Sequence, residues 1–322
     1  MEIVAVDLGG THARFAVATL DGRRVAQLGP ETVIRAAEHV SLASAWTAFA
    51  AAHGRPLPRA AAIAVAAPAD GDTIKMTNNP WVIRPAELPE KLGIDALAMV
   101  NDFEAVAQSV AALAPAQLVP LCGPDGPLPA DGVVTVLGPG TGLGVAMLVR
   151  SAGGDRAVAT EGGHMDFAPL DAIDDQILAL LRQRHRRVSV ERVVAGPALP
   201  DIYQALAMIE QRPVAPVDDR TLWTRALEGS DDLAVAALER FCMSLGAVAG
   251  DLALAQGAGA VVVAGGLGLR LAAHLPRSGF RDRFVAKGRF EARMAALPVR
   301  IVTHPQPGLL GAAAAFAARL NA

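Results

Sequence analysis

The chain has 322 residues, 52% of them apolar, and carries 29 Lys and Arg against 32 Asp and Glu, a net charge of −3. A chain of this length can bury a large core and is expected to form two domains. Without an excess of basic residues, binding to a nucleic acid or to an anionic membrane surface is not expected. The composition therefore favours a globular protein with a small, neutral partner.

The cysteine count and the hydropathy pattern indicate the cellular compartment. Cys122 and Cys242 lie far apart, which fits a reducing environment and argues against a zinc site built from cysteines. Because strand-like sequence follows directly after Met1, a signal peptide is not expected. The most apolar stretch, residues 252–269, is interrupted by Gln256 and glycines and is not expected to span a membrane. A cytoplasmic protein is expected.

The first predicted element is a hairpin. Residues 3–6 form a short apolar strand, Asp7 to Thr11 contain a Gly9-Gly10 turn signal, and residues 15–18 form the second strand. Neither the Rossmann spacing nor the P-loop ending occurs here. The adjacent glycines would let backbone N–H groups approach a phosphate, but a plain tight turn is an equally simple interpretation.

The same pattern returns 130 residues later. Residues 133–148 superpose on residues 3–18 without a gap, which places Gly140-Thr141 on Gly10-Thr11, with Gly142 directly after. Two strand–turn–strand units, one in each half of the chain, predict an internal duplication. The two turns would bind a triphosphate from both sides. Chance similarity between two short turns is the alternative.

Between the hairpins, residues 37–52 predict an Ala-rich helix and residues 61–66 a buried strand. Asn78 then lies in a segment where amides stand next to Pro80-Trp81. Amides beside an aromatic ring suit the hydroxyls and the apolar face of a sugar. Ordinary turn chemistry explains the same residues.

An amide and a carboxylate, Asn101 and Asp102, follow the apolar run of residues 98–100 and precede a helical pattern. This arrangement predicts a strand that leads into a helix, with the polar pair at the carboxyl edge of the sheet. Ligands bind at that edge in open α/β sheets. Simple capping of the helix is the alternative.

The second half carries further acids. Glu161 and His164 are three residues apart and enclose two glycines, so both side chains can turn toward one point in a loop. A metal pair is the rival interpretation, but no third ligand follows at a suitable spacing. Glu191 lies near a predicted helix start, where carboxylates are favoured whatever the function.

The last third alternates helices and strands. Residues 233–255 predict a long helix, residues 260–263 a strand that ends in a turn at Gly265-Gly266, and residues 299–302 a further strand. The turn is a candidate contact for the base and sugar of a nucleotide. A terminal helix is predicted from Pro307 through Ala318, and no low-complexity linker separates the parts.

Taken in order from residue 3 to about 312, these motifs resemble the bacterial glucokinases that lie outside the repressor-related sugar-kinase family. The matching segments are residues 7–14, 76–78, 101–103, 140–144, 161–169, 191–193, 264–266 and 307–311. His12 stands where the first phosphate signature usually has Asn. The repressor-related kinases carry a Cys-rich zinc motif, which two distant cysteines cannot supply.

The resemblance implies an α/β fold of the duplicated ribonuclease-H-like, actin-like ATPase type, with two domains and a cleft between them. The smaller domain would comprise residues 1–112 and 304–322, and the larger one residues 113–303. It also implies ATP-dependent phosphorylation of the 6-hydroxyl of glucose, with Mg²⁺ as cofactor, in a cytoplasmic homodimer.

The resemblance further assigns roles to individual residues. Asp102 would be the base on the 6-hydroxyl, while the other sugar contacts would come from Asn78, Asn101, Glu161, His164 and Glu191. Asp7 would hold the magnesium ion through water. The nucleotide would contact Asp7, Gly9, Gly10, Thr11, Gly140, Thr141, Gly142, Gly265 and Gly266.

Two alternatives stay open at this point, and a third, a sugar-sensing regulator, is not expected because strand-like sequence begins at Ile3. A kinase for another hexose or for an amino sugar is the most serious of them, because the sequence does not show the shape of the pocket around the sugar's 2-position. An actin-like ATPase without a sugar substrate would need the hairpins but not the acids that face the sugar. A sugar-sensing regulator would need a DNA-binding extension.

Overall fold

The computed structural model describes residues 1–69, 71–76 and 79–320. By its internal packing, this described part of the chain divides into two compact units. The first unit comprises Met1–Ala114, Met147–Ala159 and the chain from His304 onward, and the second comprises Pro115–Ala146 and Thr160–Thr303. Met147–Ala159 falls within the larger of the two predicted domains, and the division into domains stays a prediction.

Strands and helices alternate along the chain. The strands are β1 (Glu2–Leu8), β2 (His12–Asp21), β3 (Arg24–Leu28), β4 (Thr32–Arg35), β5 (Ala60–Val65), β6 (Ile74–Lys75), β7 (Val82–Ile83), β8 (Ala96–Asn101), β9 (Leu118–Cys122), β10 (Gly132–Pro139), β11 (Leu143–Arg150), β12 (Arg156–Thr160), β13 (Ala260–Val263) and β14 (Val299–Val302).

The helices are α1 (Leu42–His53), α2 (Leu88–Leu92), α3 (Asp102–Ala112), α4 (Ala172–Arg184), α5 (Glu191–Val194), α6 (Ala198–Ile209), α7 (Asp219–Glu228), α8 (Asp232–Ala255), α9 (Gly265–Arg270), α10 (Phe280–Val285), α11 (Glu291–Ala295) and α12 (Pro307–Arg319). The predicted mixed α/β architecture is confirmed.

The sheet of the first unit has the strand order β3-β2-β1-β5-β8, and β4 pairs with β2. β1 runs antiparallel to β2, as predicted for a hairpin, and parallel to β5, which in turn is parallel to β8. Val4 and Val6 pack in one hydrophobic cluster and Ile3 and Ala5 in another, because alternate side chains point to opposite faces of a strand. The carboxyl ends of β1, β5 and β8 therefore lie at one edge of this sheet.

The second sheet has the order β12-β11-β10-β13-β14-β9. β10, β13 and β14 are parallel to one another, and β9 is antiparallel to β14. When β4 and β9 are left aside, each sheet has five strands, and these can be numbered in the order in which they occur along the chain. In both sheets the strands then lie side by side in the order third, second, first, fourth, fifth. The two halves of the chain thus repeat one strand order.

Helix α8 is the longest element of the second unit, and the predicted helix over residues 233–255 is confirmed. Among the helices that the structure describes, α8 has the length and hydropathy to cross a membrane, but 72% of its apolar window is buried in the fold. Its apolar residues belong to the large hydrophobic cluster of the second unit. The burial identifies α8 as a core helix of that unit.

Two predicted boundaries are wrong. Helix α1 begins at Leu42 rather than Ala37, because Ser41 and Ser44 form a capping box that fixes the start of the helix there. Residues 36–38 form a 3-10 turn instead. The glycines after β13 do not form an open turn, because α9 begins directly at Gly265.

Candidate functional site

Asn101 is the last residue of β8 and caps α3, so the predicted strand-to-helix transition is confirmed. Its Oδ1 atom accepts hydrogen bonds from the backbone N–H groups of Phe103 and Glu104, at 2.9 and 3.1 Å. Its Nδ2 atom donates to the carbonyl of Ala67 at 3.3 Å. The Asn101 side chain also hydrogen-bonds the Asp102 carboxylate, so it caps the helix and holds the neighbouring carboxylate in place.

Asp102 is the first residue of α3, and its Oδ1 atom accepts a hydrogen bond from the Phe103 N–H at 2.7 Å. The pKa of Asp102 is raised to about 6 as the net result of several effects: burial raises it most, the hydrogen bond from Phe103 lowers it, and the negative charge of Asp7 raises it. A carboxyl group that titrates close to neutral pH can accept a proton during a reaction and release it afterwards. Capping by Asn101 leaves Asp102 available for this chemistry.

Asp7 lies near the end of β1, in the same unit. Burial raises the pKa of its carboxyl, while Arg14 lowers it through an ion pair of 3.5 Å between Nη1 and Oδ2. Arg14 also pairs with Glu31, at 3.6 Å. Neither Arg14 nor Glu31 was predicted from the sequence as a site residue. Arg14 lies directly opposite Asp7 on the neighbouring strand of the hairpin. Opposite charges at directly opposed positions of a predicted hairpin would have identified Arg14 from the sequence.

The start of α12 lies against Asp7. A Cβ atom on Gly308 would lie 2.7 Å from the Asp7 Oδ2 atom, which is closer than real side chains come. Glycine at this position therefore lets the helix backbone approach the carboxylate. The predicted motif at Pro307-Gly308 has this packing role in the first unit.

The Gly9-Gly10-Thr11 turn joins β1 to β2 and is closed by a hydrogen bond of 3.0 Å from the Gly9 N–H to the His12 carbonyl. The turn is partly open to solvent, and Thr11 is exposed. The Nδ2 atom of Asn79 donates to the Gly9 carbonyl at 3.4 Å, so the segment next to Trp81 is tied to this turn. Asn78, which was predicted to contact the sugar, lies outside the described residues.

The second glycine turn, Gly140-Thr141-Gly142, joins β10 to β11 in the second unit. Its Gly140 N–H donates to the Gly142 carbonyl at 2.8 Å, and the Gly196 N–H donates to the Gly140 carbonyl at 2.7 Å. This pairing differs from the first turn, although the two sequences superpose without a gap. The repeat is therefore preserved in strand order but not in the hydrogen bonds of its turns.

Glu191 is the first residue of α5, and its carboxylate faces the second glycine turn. Its Oε2 atom accepts a hydrogen bond of 2.9 Å from the Leu143 N–H, directly after the turn. A Cβ atom on Gly142 would collide with the same carboxylate. A predicted sugar contact is thus bonded to the backbone of a predicted phosphate turn.

Glu161 directly precedes a 3-10 turn, Gly162–His164, and His164 is the last residue of that turn; their side chains lie close to each other. The Oε2 and Nε2 atoms are 3.9 Å apart, and both side chains are mostly exposed. A Cβ atom on Gly163 would collide with the Leu143 carbonyl, so the turn rests directly on β11. Leu143 therefore contacts Glu191 through its N–H and the Glu161–His164 turn through its carbonyl.

Arg187 stabilises the segment that contains His164 and Asp166, and it was not predicted from the sequence. Its guanidinium donates to the carbonyl of His164 and to the carboxylate of Asp166, both at 2.5 Å. Residues 165–167 run beside residues 188–190, with a hydrogen bond of 2.8 Å from the Val190 N–H to the Met165 carbonyl. The chain segment that carries Glu161 and His164 is thereby held next to the segment that carries Glu191.

The glycines at the start of α9 pack against the end of β10. Gly265 has a φ of +80°, and a Cβ atom on it would lie 3.0 Å from the Pro139 carbonyl. A Cβ atom on Gly266 would meet nothing within 4 Å. Space next to Gly266 is therefore open at the place where the sequence predicts a nucleotide contact.

Within residues 1–69, 71–76 and 79–320, no group of three or more His, Cys, Asp or Glu side chains lies close enough to hold a metal ion. Mg²⁺ commonly uses one or two carboxylates and takes its other ligands from water and phosphate oxygens. The carboxylate of Asp7 fits that ligand pattern.

Two clusters of predicted site residues result. In the first unit, the negative charge of Asp7 raises the pKa of Asp102, and the first glycine turn directly follows the strand that carries Asp7. In the second unit, Leu143 brings the second glycine turn, Glu191 and the Glu161–His164 turn together.

Known proteins match this chain over nearly its whole length. The glucokinase family model matches residues 4–319. The chain is 62% identical to a glucokinase of Zymomonas mobilis over 98% of both chains, and 42% identical to a glucokinase of Paramagnetospirillum magneticum over 97% of this chain and 96% of that protein. The crystal structure of a glucokinase from an Antarctic psychrotroph superposes with a TM-score of 0.86 at 33% identity, covering 98% of each chain. The chain therefore belongs to the glucokinase family.

Proposed function

We propose that this protein transfers the γ-phosphoryl group of ATP to the 6-hydroxyl of D-glucose, which yields glucose 6-phosphate and ADP. The observation that carries this proposal is the Asp102 carboxyl, whose pKa is raised to about 6 at the carboxyl edge of the first sheet. Membership of the glucokinase family supports the same substrate and donor.

Asp102 is the proposed general base. Phosphoryl transfer requires an oxygen nucleophile in line with the phosphorus and a group that takes its proton. As the 6-oxygen bonds to phosphorus and the bond to the ADP oxygen breaks, the hydroxyl proton passes to the Asp102 carboxylate. Asn101 holds the start of α3 and the Asp102 carboxylate, and its side chain is proposed to contact a sugar hydroxyl.

The remaining sugar contacts are proposed from residue chemistry. Glucose is neutral, and its hydroxyls both donate and accept hydrogen bonds, which suits carboxylates and an imidazole. Glu161, His164 and Glu191 supply these groups in the second unit, and Asn78 is proposed to supply an amide. The hydrogen bond from Leu143 to Glu191 links this sugar cluster to the second glycine turn.

The glycine turns are the proposed nucleotide contacts. Gly9, Gly10 and Thr11 in the first turn, and Gly140, Thr141 and Gly142 in the second, offer backbone N–H donors to phosphate oxygens. Gly265 and Gly266 are proposed to face the base and ribose. Asp7 is proposed to hold Mg²⁺ through water, and the ion, when bound, neutralises charge on the phosphates.

The finer structural assignments rest on the family and on the repeated strand order. We infer a duplicated ribonuclease-H-like, actin-like architecture with two domains and a cleft between them, the smaller comprising residues 1–112 and 304–322. The identical path of the strands in both sheets supports the duplication. Assembly as a homodimer and a cytoplasmic location are proposed from family membership alone.

A panel of hexoses tests the proposed substrate. Glucose, mannose, fructose, galactose and N-acetylglucosamine are offered with ATP and Mg²⁺, and release of ADP is followed. The proposal expects glucose to give the highest kcat/KM. A higher kcat/KM for an amino sugar would reassign the substrate, and ATP hydrolysis that no hexose stimulates would contradict the kinase itself.

A further inference from the structure

The first unit contains a cavity that the proposed reaction does not use. Its volume is about 970 Å³, at the upper end of the range of small-molecule sites. Helix α3, the second half of α12, the start of β3 with the preceding Arg23, and the segment from Arg150 to Ala157 form its walls. The predicted site residues named above are not among the described residues that line this cavity.

The lining is strongly basic. Among its described residues are five arginines and two carboxylates, namely Arg23, Arg24, Arg150, Arg156, Arg319, Glu104 and Asp155. The chain as a whole has a net charge of −3, so this positive lining opposes the overall charge. Such a local field attracts anions.

The pairing of the arginines leaves most of this charge unbalanced. Arg150 pairs with Asp155, at 3.4 Å between Nε and Oδ1. Arg23 and Arg319 donate to the carbonyls of Gly153 and Met99, at 3.3 and 3.1 Å, which satisfies one N–H group but does not neutralise the guanidinium. Within the described part of the chain, neither Arg24 nor Arg156 forms an ion pair.

The segment from Arg150 to Ala157 is held in place by Gln108 of α3. This side chain is 8% exposed, accepts a hydrogen bond from the Ala157 N–H at 3.1 Å and donates to the Asp155 carbonyl at 3.4 Å. The bonds hold the segment that carries Arg150 and Arg156 against α3. The arginines are therefore presented from a defined backbone rather than from a loose loop.

The helices contribute an apolar floor. Methyl side chains from α3 and α12 line it, namely Ala111, Ala112, Ala314, Ala315 and Ala318. Side chains this small leave the space above them open, and a ring or short chain of a ligand can lie on them.

We propose that this cavity binds a small molecule that carries two or more phosphate groups. A guanidinium group matches phosphate oxygens with paired N–H donors, and several arginines on different walls suit several phosphates. The alanine floor accommodates the carbon skeleton between the phosphates. The site is separate from the proposed nucleotide contacts, so the protein would bind a second phosphorylated ligand.

Isothermal titration calorimetry with fructose 1,6-bisphosphate and with inorganic tripolyphosphate tests the proposal. The two probes share the phosphate groups, and only the first has a carbon skeleton for the floor. Each is titrated into the full chain with and without saturating glucose and a non-hydrolysable ATP analogue. The variant R24Q/R156Q removes two charges of the lining, and R59Q removes an exposed arginine that pairs with Asp95 in the same unit.

The proposal expects at least one probe to bind with the sugar and nucleotide present, and R24Q/R156Q to weaken that binding by tenfold or more. R59Q is expected to leave the affinity within twofold, and both variants are expected to retain the glucose phosphorylation rate and the melting temperature. Loss of all probe binding on addition of the nucleotide analogue would overturn the proposal, as would equal weakening by both variants. Tighter binding of the bisphosphate than of tripolyphosphate would show that the alanine floor contacts the carbon skeleton of the ligand.

Discussion

The Glu191 carboxylate accepts a hydrogen bond of 2.9 Å from the backbone N–H of Leu143. Leu143 is the first residue after the second glycine turn, and its carbonyl supports the turn that carries Glu161 and His164. One backbone position therefore connects the proposed sugar contacts with a proposed phosphate contact. Displacement of Glu191 should affect both substrates.

Replacement of Glu191 tests this connection. E191A removes the acceptor for the Leu143 N–H, and loss of a hydrogen bond to a charged group typically costs about 1.5–3 kcal/mol, or roughly 10- to 100-fold in kcat/KM. We expect the KM for glucose and the KM for ATP both to rise. Steady-state kinetics with each substrate varied in turn measure the two effects.

The variant E191Q is the matched control, because its carbonyl oxygen can still accept from Leu143. It should keep the KM for ATP within about threefold of the wild-type value, a difference of less than 1 kcal/mol. A rise in the KM for glucose alone in E191A would show that the carboxylate does not position the phosphate turn.

The raised pKa of Asp102 predicts how activity depends on pH. A general base must be ionised in the free enzyme, so kcat/KM for glucose should fall as the pH drops below about 6, the pKa of the Asp102 carboxyl. The fall should approach tenfold per pH unit. An activity profile that stayed flat down to pH 4.5 would rule out Asp102 as the group whose ionisation limits the rate.

The same pKa makes a prediction about stability. The folded-state pKa of Asp102, about 6, lies above its ordinary value of 3.8, so the folded state favours the protonated form. Its contribution to stability is present below pH 3.8 and is lost as the pH rises through 6. D102N stays neutral at every pH and should be more stable than wild type at pH 7.5, by on the order of 1–3 kcal/mol.

Urea denaturation of both proteins between pH 4 and pH 8 measures this difference. The advantage of D102N should shrink as the pH falls and should vanish near pH 4. D95N is the control, and its effect on stability should have the opposite sign. The hydrogen bond and the charge of Arg59 lower the pKa of Asp95, so loss of the carboxylate should destabilise the protein. An advantage of D102N that did not change with pH would mean that ionisation of Asp102 has no part in it.

The packing of α12 on α3 can be tested with one glycine. A Cβ atom on Gly311 would collide with the carbonyl of Ala105. Alanine normally favours a helix, but here the collision should dominate, and G311A should lower the free energy of unfolding by about 1–3 kcal/mol. Chemical denaturation measures the change.

The matched control is G266A, a glycine-to-alanine change in α9 where a Cβ atom meets nothing within 4 Å. It should leave the free energy of unfolding within about 0.5 kcal/mol of wild type. Equal effects of G311A and G266A would mean that the close contact of α12 with α3 is not what makes glycine necessary.

The elements that the sequence predicted best are those whose signals are local. The strands at residues 260–263 and 299–302 and the helix over residues 233–255 show continuous apolar runs or a clear period, and the structure has them in place. The start of α1 was missed because the Ser41 cap outweighs the helical preference of the alanines before it.

The parts of the candidate site that escaped prediction depend on contacts between distant residues. In the site, Arg187 supports His164 from 23 residues away, and in the separate cavity of the first unit Gln108 holds Ala157 from 49 residues away. The spacing of residues within one motif contains no information about such contacts. Asn101 and Asp102 were found together, but only the structure separates the helix cap from the carboxyl whose pKa is raised.

Turnover of D102N with glucose is the most direct test of the proposed mechanism. Wild-type protein with ATP, Mg²⁺ and glucose should form equal amounts of ADP and glucose 6-phosphate. The asparagine keeps an oxygen for the 6-hydroxyl but cannot take its proton, so kcat should fall by roughly 10²- to 10⁴-fold while glucose affinity stays close to wild type. A kcat within about threefold of wild type would contradict the assignment of Asp102 as the base.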